Sequence, residues 1–307
     1  MCTTCGCSNN VHVTVTDPET GEIAVLHALD GDHHDHLHEH DHHHIHAHEP
    51  DHHHDHPHEH GRNHDHPAQK HGTTVTLQED VLAKNNRLAE RNRGWFAGRN
   101  ILALNLVSAP GSGKTTLLER TLRDLGSELP IQVIEGDQAT MKDAERIRAT
   151  GCKVVQINTE TGCHLEADML ARGLKQLAPP LDSIVMIENV GNLVCPALFD
   201  LGERAKIVIL SVTEGEDKPI KYPHMFRAAQ VMVLNKIDLL PYVDFDVERC
   251  LAYARQVNPG LRILQLSATK GTGLADWYGW LRAEMKANCS NSLPLDEEAL
   301  AHGARPQ

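Results

Sequence analysis

From about residue 100 the chain alternates between short continuous apolar runs and longer amphipathic stretches. Ile101–Val107, Ile131–Glu135, Lys153–Ile157, Ser183–Glu188, Lys206–Val212, Val231–Asn235 and Arg262–Leu266 have the length and composition of buried strands. Helices are predicted at Leu117–Leu122, Thr140–Thr150, His164–Leu177, Pro223–Ala229, Val247–Gln256 and Leu274–Ala287. Upstream, Val81, Leu82, Leu88, Ala89, Trp95 and Phe96 recur at mixed helical spacings and predict a further helix over 77–97. Such alternation reads as an α/β fold: a mostly parallel, doubly wound sheet with helices on both faces.

The first 72 residues break that pattern. Val11–Val15 and Ile23–Leu26 flank Asp17-Pro18-Glu19-Thr20-Gly21, which suits a small hairpin over 11–30. His33 to His71 carries nineteen of the 24 histidines, interleaved with Asp and Glu and almost free of apolar residues. Such a segment has nothing to bury and is expected to be disordered. Neutral imidazoles beside carboxylates bind nickel, zinc and copper, and irregular spacing implies several ions held unevenly. A solvated spacer is the plainer alternative. The chain thus divides into a Cys-rich tail (1–10), the hairpin (11–30), the His- and Asp-rich tract (31–72), one large domain with its leading helix (73–289) and a polar tail (290–307).

Composition narrows the function classes. Hydrophobic residues make up 40% of the 307, enough for a real core. The formal charge of −13 is mostly local, since ten acids against Arg62 between residues 30 and 66 supply −9 of it. The remainder carries no basic run, which argues against a nucleic-acid partner. No apolar run reaches the roughly 18 residues of a membrane span. The chain start lacks the basic-then-apolar layout of a signal peptide, so a cytoplasmic location is expected. There, eight cysteines are thiols or metal ligands rather than a disulfide scaffold.

The sharpest motif is Ser108-Ala109-Pro110-Gly111-Ser112-Gly113-Lys114-Thr115-Thr116, set between an apolar strand and a helix. Strand, glycine-rich turn, Gly-Lys-Thr and helix make a phosphate-binding P-loop. Gly111 and Gly113 permit the tight turn that aims N–H groups inward, and the helix start favours an anion. Lys114 can reach the β- and γ-phosphates, and the Thr115 hydroxyl can ligate Mg²⁺. Ser108 stands where the pattern usually has its first glycine, a position that mainly shapes the strand exit.

A second signature, Asn235-Lys236-Ile237-Asp238, follows the strand ending at Asn235. A carboxylate at Asp238 accepts two hydrogen bonds from guanine N1–H and its amino group, a donor pair adenine lacks. Asn235 and Lys236 would brace the loops, and Ser267-Ala268-Thr269 can offer a backbone N–H to the guanine oxygen. GTP is therefore the expected nucleotide. Two acidic turns face the phosphates at the carboxyl edge of the sheet. In Glu135-Gly136-Asp137, Asp137 is the candidate for holding Mg²⁺ or orienting water. In Glu188-Asn189-Val190-Gly191, Glu188 with the Gly191 backbone is the candidate γ-phosphate sensor. Helix capping is the plainer role for both acids.

Thiols form two further groups. Cys2, Cys5 and Cys7 sit in Met1-Cys2-Thr3-Thr4-Cys5-Gly6-Cys7, where Gly6 lets three sulfurs converge. With a terminal amine or backbone nitrogen as fourth donor, that set suits square-planar Ni(II). A redox pair or an unremarkable tail are the alternatives. Cys163-His164 is expected at a helix start, where a thiolate is favoured. Cys195 lies seven residues past Glu188. Cys163, His164 and Cys195 offer three ligands for zinc or nickel, with a gap for a water or a second subunit. Cys152, Cys250 and Cys289 have no such company.

Together, the N-terminal thiols, the His tract, Ser108–Thr116, Glu188–Cys195 with Pro196, and Asn235–Asp238 resemble the HypB family. These are GTPase accessory proteins that help insert nickel into nickel–iron hydrogenase. The resemblance implies a G domain that dimerises around nucleotide, related to the urease GTPase chaperone. It also implies a high-affinity nickel site at Cys2, Cys5 and Cys7, and a second nickel or zinc site at Cys163, His164 and Cys195 in the dimer interface. The implied partners are a HypA-type nickel/zinc accessory protein and the hydrogenase large-subunit precursor, with nickel storage in members that carry the His tract.

Overall fold

Seven parallel strands make up all but one end of a nine-stranded sheet in the computed structural model, in which residues 13–16, 23–26, 70–137, 142–159 and 162–290 are described. The N-terminal elements are β1 (Val13–Thr16), β2 (Ile23–Leu26) and helix α1 (Lys70–Ala97). Next come β3 (Leu102–Ser108), α2 (Lys114–Leu125), β4 (Ile131–Asp137), α3 (Lys142–Arg148), β5 (Val154–Asn158), α4 (Ala167–Leu177) and β6 (Ile184–Gly191). The rest is α5 (Cys195–Leu198), β7 (Ala205–Ser211), α6 (Lys218–Lys221), α7 (Pro223–Ala228), β8 (Val231–Asn235), a 3-10 turn at Ile237–Tyr242, α8 (Val247–Val257), β9 (Arg262–Gln265) and α9 (Leu274–Ser290).

The strand order is β2-β1-β5-β4-β6-β3-β7-β8-β9. The strands from β3 onward are parallel, while β1 pairs antiparallel with both β2 and β5. Residues 13–16 and 23–26 therefore add two strands to one edge of the main sheet. Successive strand residues face opposite sides, and both sides are covered. Leu102, Leu104 and Leu106 of β3 pack with Leu117, Leu118 and Leu122 of α2 and with Trp277 and Trp280 of α9. On the other face Ala103, Ile134, Ile157 and Ile187 pack with Leu170, Leu174 and Leu177 of α4 and Phe96 of α1. Burial on two sides is why the central strands carry apolar residues without alternation.

Three boundaries differ from the sequence reading. Helix α1 begins at Lys70 and not at 77; its first turns hold Thr73, Thr74, Val75 and Thr76, which show no apolar period to announce them. Strand β6 continues through Gly191 instead of stopping at Glu188, with its pairing to β3 shifting register between Leu106 and Ser108. Helix α4 starts at Ala167, so Cys163 and His164 sit in an irregular turn ahead of it and not at the helix start itself. Cys2, Cys5, Cys7, the His-rich tract as far as residue 69 and residues 291–307 lie outside the described residues.

Candidate functional site

The P-loop connects β3 to α2 in the centre of the sheet. Gly113 has φ +97°, and a Cβ there would come within 2.6 Å of Asn235 Nδ2. Only glycine combines that backbone with that close approach. Lys114 Nζ donates to Ser108 Oγ at 3.0 Å, so the serine in the usual glycine position steadies the lysine. Thr115 Oγ1 donates to Glu188 Oε1 at 2.7 Å. Gly191 lies against Pro110, where a Cβ would sit 3.1 Å from the proline ring, so the end of β6 rests on the P-loop.

A cavity of about 500 Å³ opens over this loop, with Gly111 to Thr116 on one side and Asp137, Glu188 and Gly191 on the other. Glu135 and Glu188 stand opposite each other in the β4–β6 register, 3% and 4% exposed. Burial, then the neighbouring Glu188 charge, push the Glu135 carboxyl up to about 9, with Lys114 opposing. Glu188 is also raised, by burial against the attraction of Lys114. One oxygen of each, Oε2, is buried without a hydrogen-bond partner. Carboxylates crowded in this way suit a divalent cation, which would satisfy their free oxygens and offset their repulsion. The residues present thus fit Mg²⁺.

A second cavity of about 190 Å³ adjoins the first and is lined by Gly113, Thr116, Asn235, Lys236, Asp238 and Ala268, among others. Asn235 holds it together. Its Nδ2 donates to Ser112 O at 3.0 Å, and its Oδ1 accepts from Ala268 N at 3.2 Å. Lys236, at φ +61°, donates from Nζ to Gly111 O at 2.7 Å. The Ser267 N–H donates to Thr272 O, so the Ser267 amide fastens its own loop while the Ala268 amide ties that loop to Asn235. Asp238 reaches the cavity from the 3-10 turn.

Across the sheet, Cys163, His164 and Cys195 converge. Their ligand atoms lie within 4.8 Å of one another, the one such group among the described residues. The two Sγ atoms are 3.0 Å apart, and His164 Nδ1 lies 3.5 Å from Cys163 Sγ. The His164 ring packs on Phe199 at 3.9 Å between centroids, and burial pushes its pKa down to about 4. The imidazole is therefore neutral at pH 7, the form that ligates a metal. Its Nε2 is buried without a hydrogen bond, 3.8 Å from Glu166. Two thiols and a neutral imidazole make a donor set for zinc or nickel.

Residues 102–265 match the model of the family described as CobW/HypB/UreG, nucleotide-binding domain. The hydrogenase maturation factor HypB of Escherichia coli strain K12 is 60% identical over 210 residues, spanning 68% of this chain and 72% of that protein. The chain belongs to the HypB family. Two crystal structures of HypB share its fold. That from Archaeoglobus fulgidus has a TM-score of 0.63 at 41% identity and covers 66% of this chain and 99% of its own. That from Helicobacter pylori, in complex with nickel, has a TM-score of 0.63 at 36% identity and covers 67% and 96%.

For this HypB-family chain, the structure draws the expected nucleotide residues into two adjoining cavities, except Ser267, which is buried and lines neither, and the expected Cys-His-Cys set into one cluster. It also adds residues that the sequence reading passed over. Asp143 and Arg146 of α3 line the larger cavity, with Arg146 held by Glu119 at 2.8 Å and Asp143 at 3.2 Å. Glu135 was visible only as part of an acidic turn. Charges on a short helix ordinarily read as a solvated face, so no local signal marks Asp143 or Arg146.

Proposed function

We propose that the chain is a GTP-hydrolysing nickel metallochaperone that delivers Ni(II) during hydrogenase maturation. The observation that carries this reading is the path of one strand. Strand β6 brings Glu188 into the P-loop cavity and, four residues beyond Gly191, leads to Cys195 of the metal cluster. Family membership and the nickel held by the Helicobacter pylori relative support it.

In this reading Asp238 selects guanine, and Asn235 and Lys236 hold the base loop against the P-loop. Lys114 and the loop amides bind the β- and γ-phosphates. Thr115 and Asp137 would hold Mg²⁺ in the field of the buried Glu135 and Glu188 carboxyls of the same cavity, and the ion would supply charge neutralisation on those phosphates. Asp137 or its neighbour Glu135 orients the attacking water, and Glu188 with the Gly191 N–H senses the γ-phosphate. Arrival of that phosphate competes for the bond between Thr115 and Glu188, and its loss on hydrolysis restores the bond. The segment from Glu188 to Cys195 then changes between two settings, an order–disorder type of switch. The cluster at Cys163, His164 and Cys195 takes nickel or zinc and releases nickel when its geometry changes. A homodimer, with the cluster at its interface, completes the ligand set. Cys2, Cys5 and Cys7 hold nickel tightly, and the His tract stores it. A HypA-type nickel/zinc protein and the hydrogenase large-subunit precursor are the cytoplasmic partners.

The deciding experiment is metal titration with GDP and with a non-hydrolysable GTP analogue, followed by metal stoichiometry and dimer mass. Nickel affinity at the cluster is expected to differ between the two; equal affinities sink the coupled mechanism. A second reading, a nickel store with a merely regulatory G domain, is favoured by the nineteen histidines of the tract. Deleting 33–71 and assaying hydrogenase maturation at ample nickel separates them. Delivery predicts that maturation persists, and storage predicts that the main function is lost.

A further inference from the structure

A buried hydrogen-bond network joins the nucleotide cavity to the Cys163–His164–Cys195 cluster, and none of the roles above uses it. It begins at Asn189, next to Glu188 on β6. Successive strand residues face opposite sides. Glu188 takes the Thr115 hydroxyl on one side, while Asn189 reaches the other layer. Asn189 Oδ1 accepts from Leu165 N at 3.1 Å and from Val190 N at 3.0 Å, and its Nδ2 donates to Asn105 Oδ1 at 3.3 Å. Asn105 Nδ2 donates to Glu203 Oε1 at 3.0 Å. Lys206 Nζ stands 3.6 Å from the same oxygen and donates to Pro196 O at 2.6 Å and Phe199 O at 3.3 Å. Asn105, Asn189, Glu203 and Lys206 are each no more than 8% exposed.

The two ends of the network are the two halves of the cluster. Leu165 follows His164 in the chain, and Pro196 follows Cys195. Phe199, whose carbonyl binds Lys206, lays its ring on the His164 imidazole. In a dry interior a stretched hydrogen bond is not replaced by water, so such a network keeps its geometry or breaks as a unit. A shift of β6 at Glu188 is therefore felt at Leu165 and at Pro196 together. Chain continuity from Glu188 to Cys195 moves only one side of the cluster. The Asn189 bond to Leu165 crosses 24 residues of sequence and reaches the other.

We propose that Asn189 is a positioning residue that transmits the nucleotide state from Glu188 to the metal cluster, with Asn105, Glu203 and Lys206 carrying it to the Cys195 side. The inference rests on the nucleotide-coupled reading above and gives it a route. The coupling is a ratio of nickel affinities, and allosteric ratios typically lie at about 5- to 150-fold.

The test uses full-length protein and follows the nickel–thiolate absorption that Cys195→Ala removes, which isolates the cluster from other nickel ligands. Affinities are measured with GDP and with a non-hydrolysable GTP analogue. Wild type is expected to give a ratio of at least about fivefold, and Asn189→Ala a ratio under about twofold. Because Asn189→Ala truncates a buried side chain, Lys206→Met reads the same link from the far end, away from the nucleotide. It is expected to lose the ratio while nucleotide affinity stays at the wild-type level. If either folded variant weakens nickel equally in both states and keeps the wild-type ratio, the network is only structural and the proposal is overturned. If wild type itself has no ratio, the coupled reading falls and this proposal with it.

Discussion

Thr115 Oγ1 donates a 2.7 Å hydrogen bond to Glu188 Oε1, tying the first turn of α2 to the end of β6 across 73 residues. The hydroxyl suited to a cation and the carboxylate suited to sensing the γ-phosphate are thus each other's partners. Lys114, beside Thr115, is meanwhile held by Ser108. Replacing Lys114 with Ala removes the cation aimed at the phosphates. GTP turnover is expected to fall by about 10²- to 10³-fold, as for other preorganised charge-stabilising groups. Phosphate release measures this. Nickel bound by Cys2, Cys5 and Cys7 is expected to be unchanged by metal analysis, and its loss would mean that tail and G domain are not modular.

Gly113→Ala forces a Cβ into a left-handed backbone and to 2.6 Å from Asn235 Nδ2. The conformational cost is about 1–2 kcal/mol, and disturbing the Asn235 bond to Ser112 adds about 1 kcal/mol. A fall in melting temperature of about 4–12 °C follows for a domain of this size, together with weaker guanine-nucleotide binding. Gly111→Ala is the control. It shares a positive φ of +76° but has nothing within 4 Å of its Cβ, so its penalty is expected to be the smaller one.

Asp238→Asn replaces an acceptor pair by an amide that meets guanine N1–H and its amino group with a donor. Two hydrogen bonds to a charged group, about 1.5–3 kcal/mol each, are lost or inverted. GTP affinity is expected to drop by at least about 100-fold, while the melting temperature without nucleotide hardly changes. Fluorescent-nucleotide titration checks the first and calorimetry the second. Unaltered GTP affinity would remove Asp238 from the base site.

Glu135→Gln tests the crowded carboxylates. Burial and the Glu188 charge raise the folded-state pKa of Glu135 from 4.5 to about 9. The native state therefore keeps a proton that the unfolded chain has released, and stability without ligand falls as pH rises through that window. The glutamine variant loses the Glu135 part of this dependence and keeps that of Glu188. It is expected to melt above wild type at pH 8, with the difference shrinking toward pH 4.5. A difference equal at pH 5 and pH 8 would contradict the assignment. Mg²⁺ is also expected to bind the variant more weakly, which calorimetric titration reads directly.

The sequence alone determined whatever rests on contiguous residues. Gly111 to Thr116 and Asn235 to Asp238 each build their geometry from a few successive backbone angles. The apolar runs announce buried strands because both faces of the sheet are covered, and family resemblance was legible in the same motifs. It did not place Glu135 against Glu188, or route Asn189 through Asn105 and Glu203 to Lys206. Those meetings depend on the strand order that sets β4 beside β6 and β6 beside β3. Local periodicity says which residues are buried and which face they take. Which buried residues become neighbours is decided only when the crossovers close and the whole core packs.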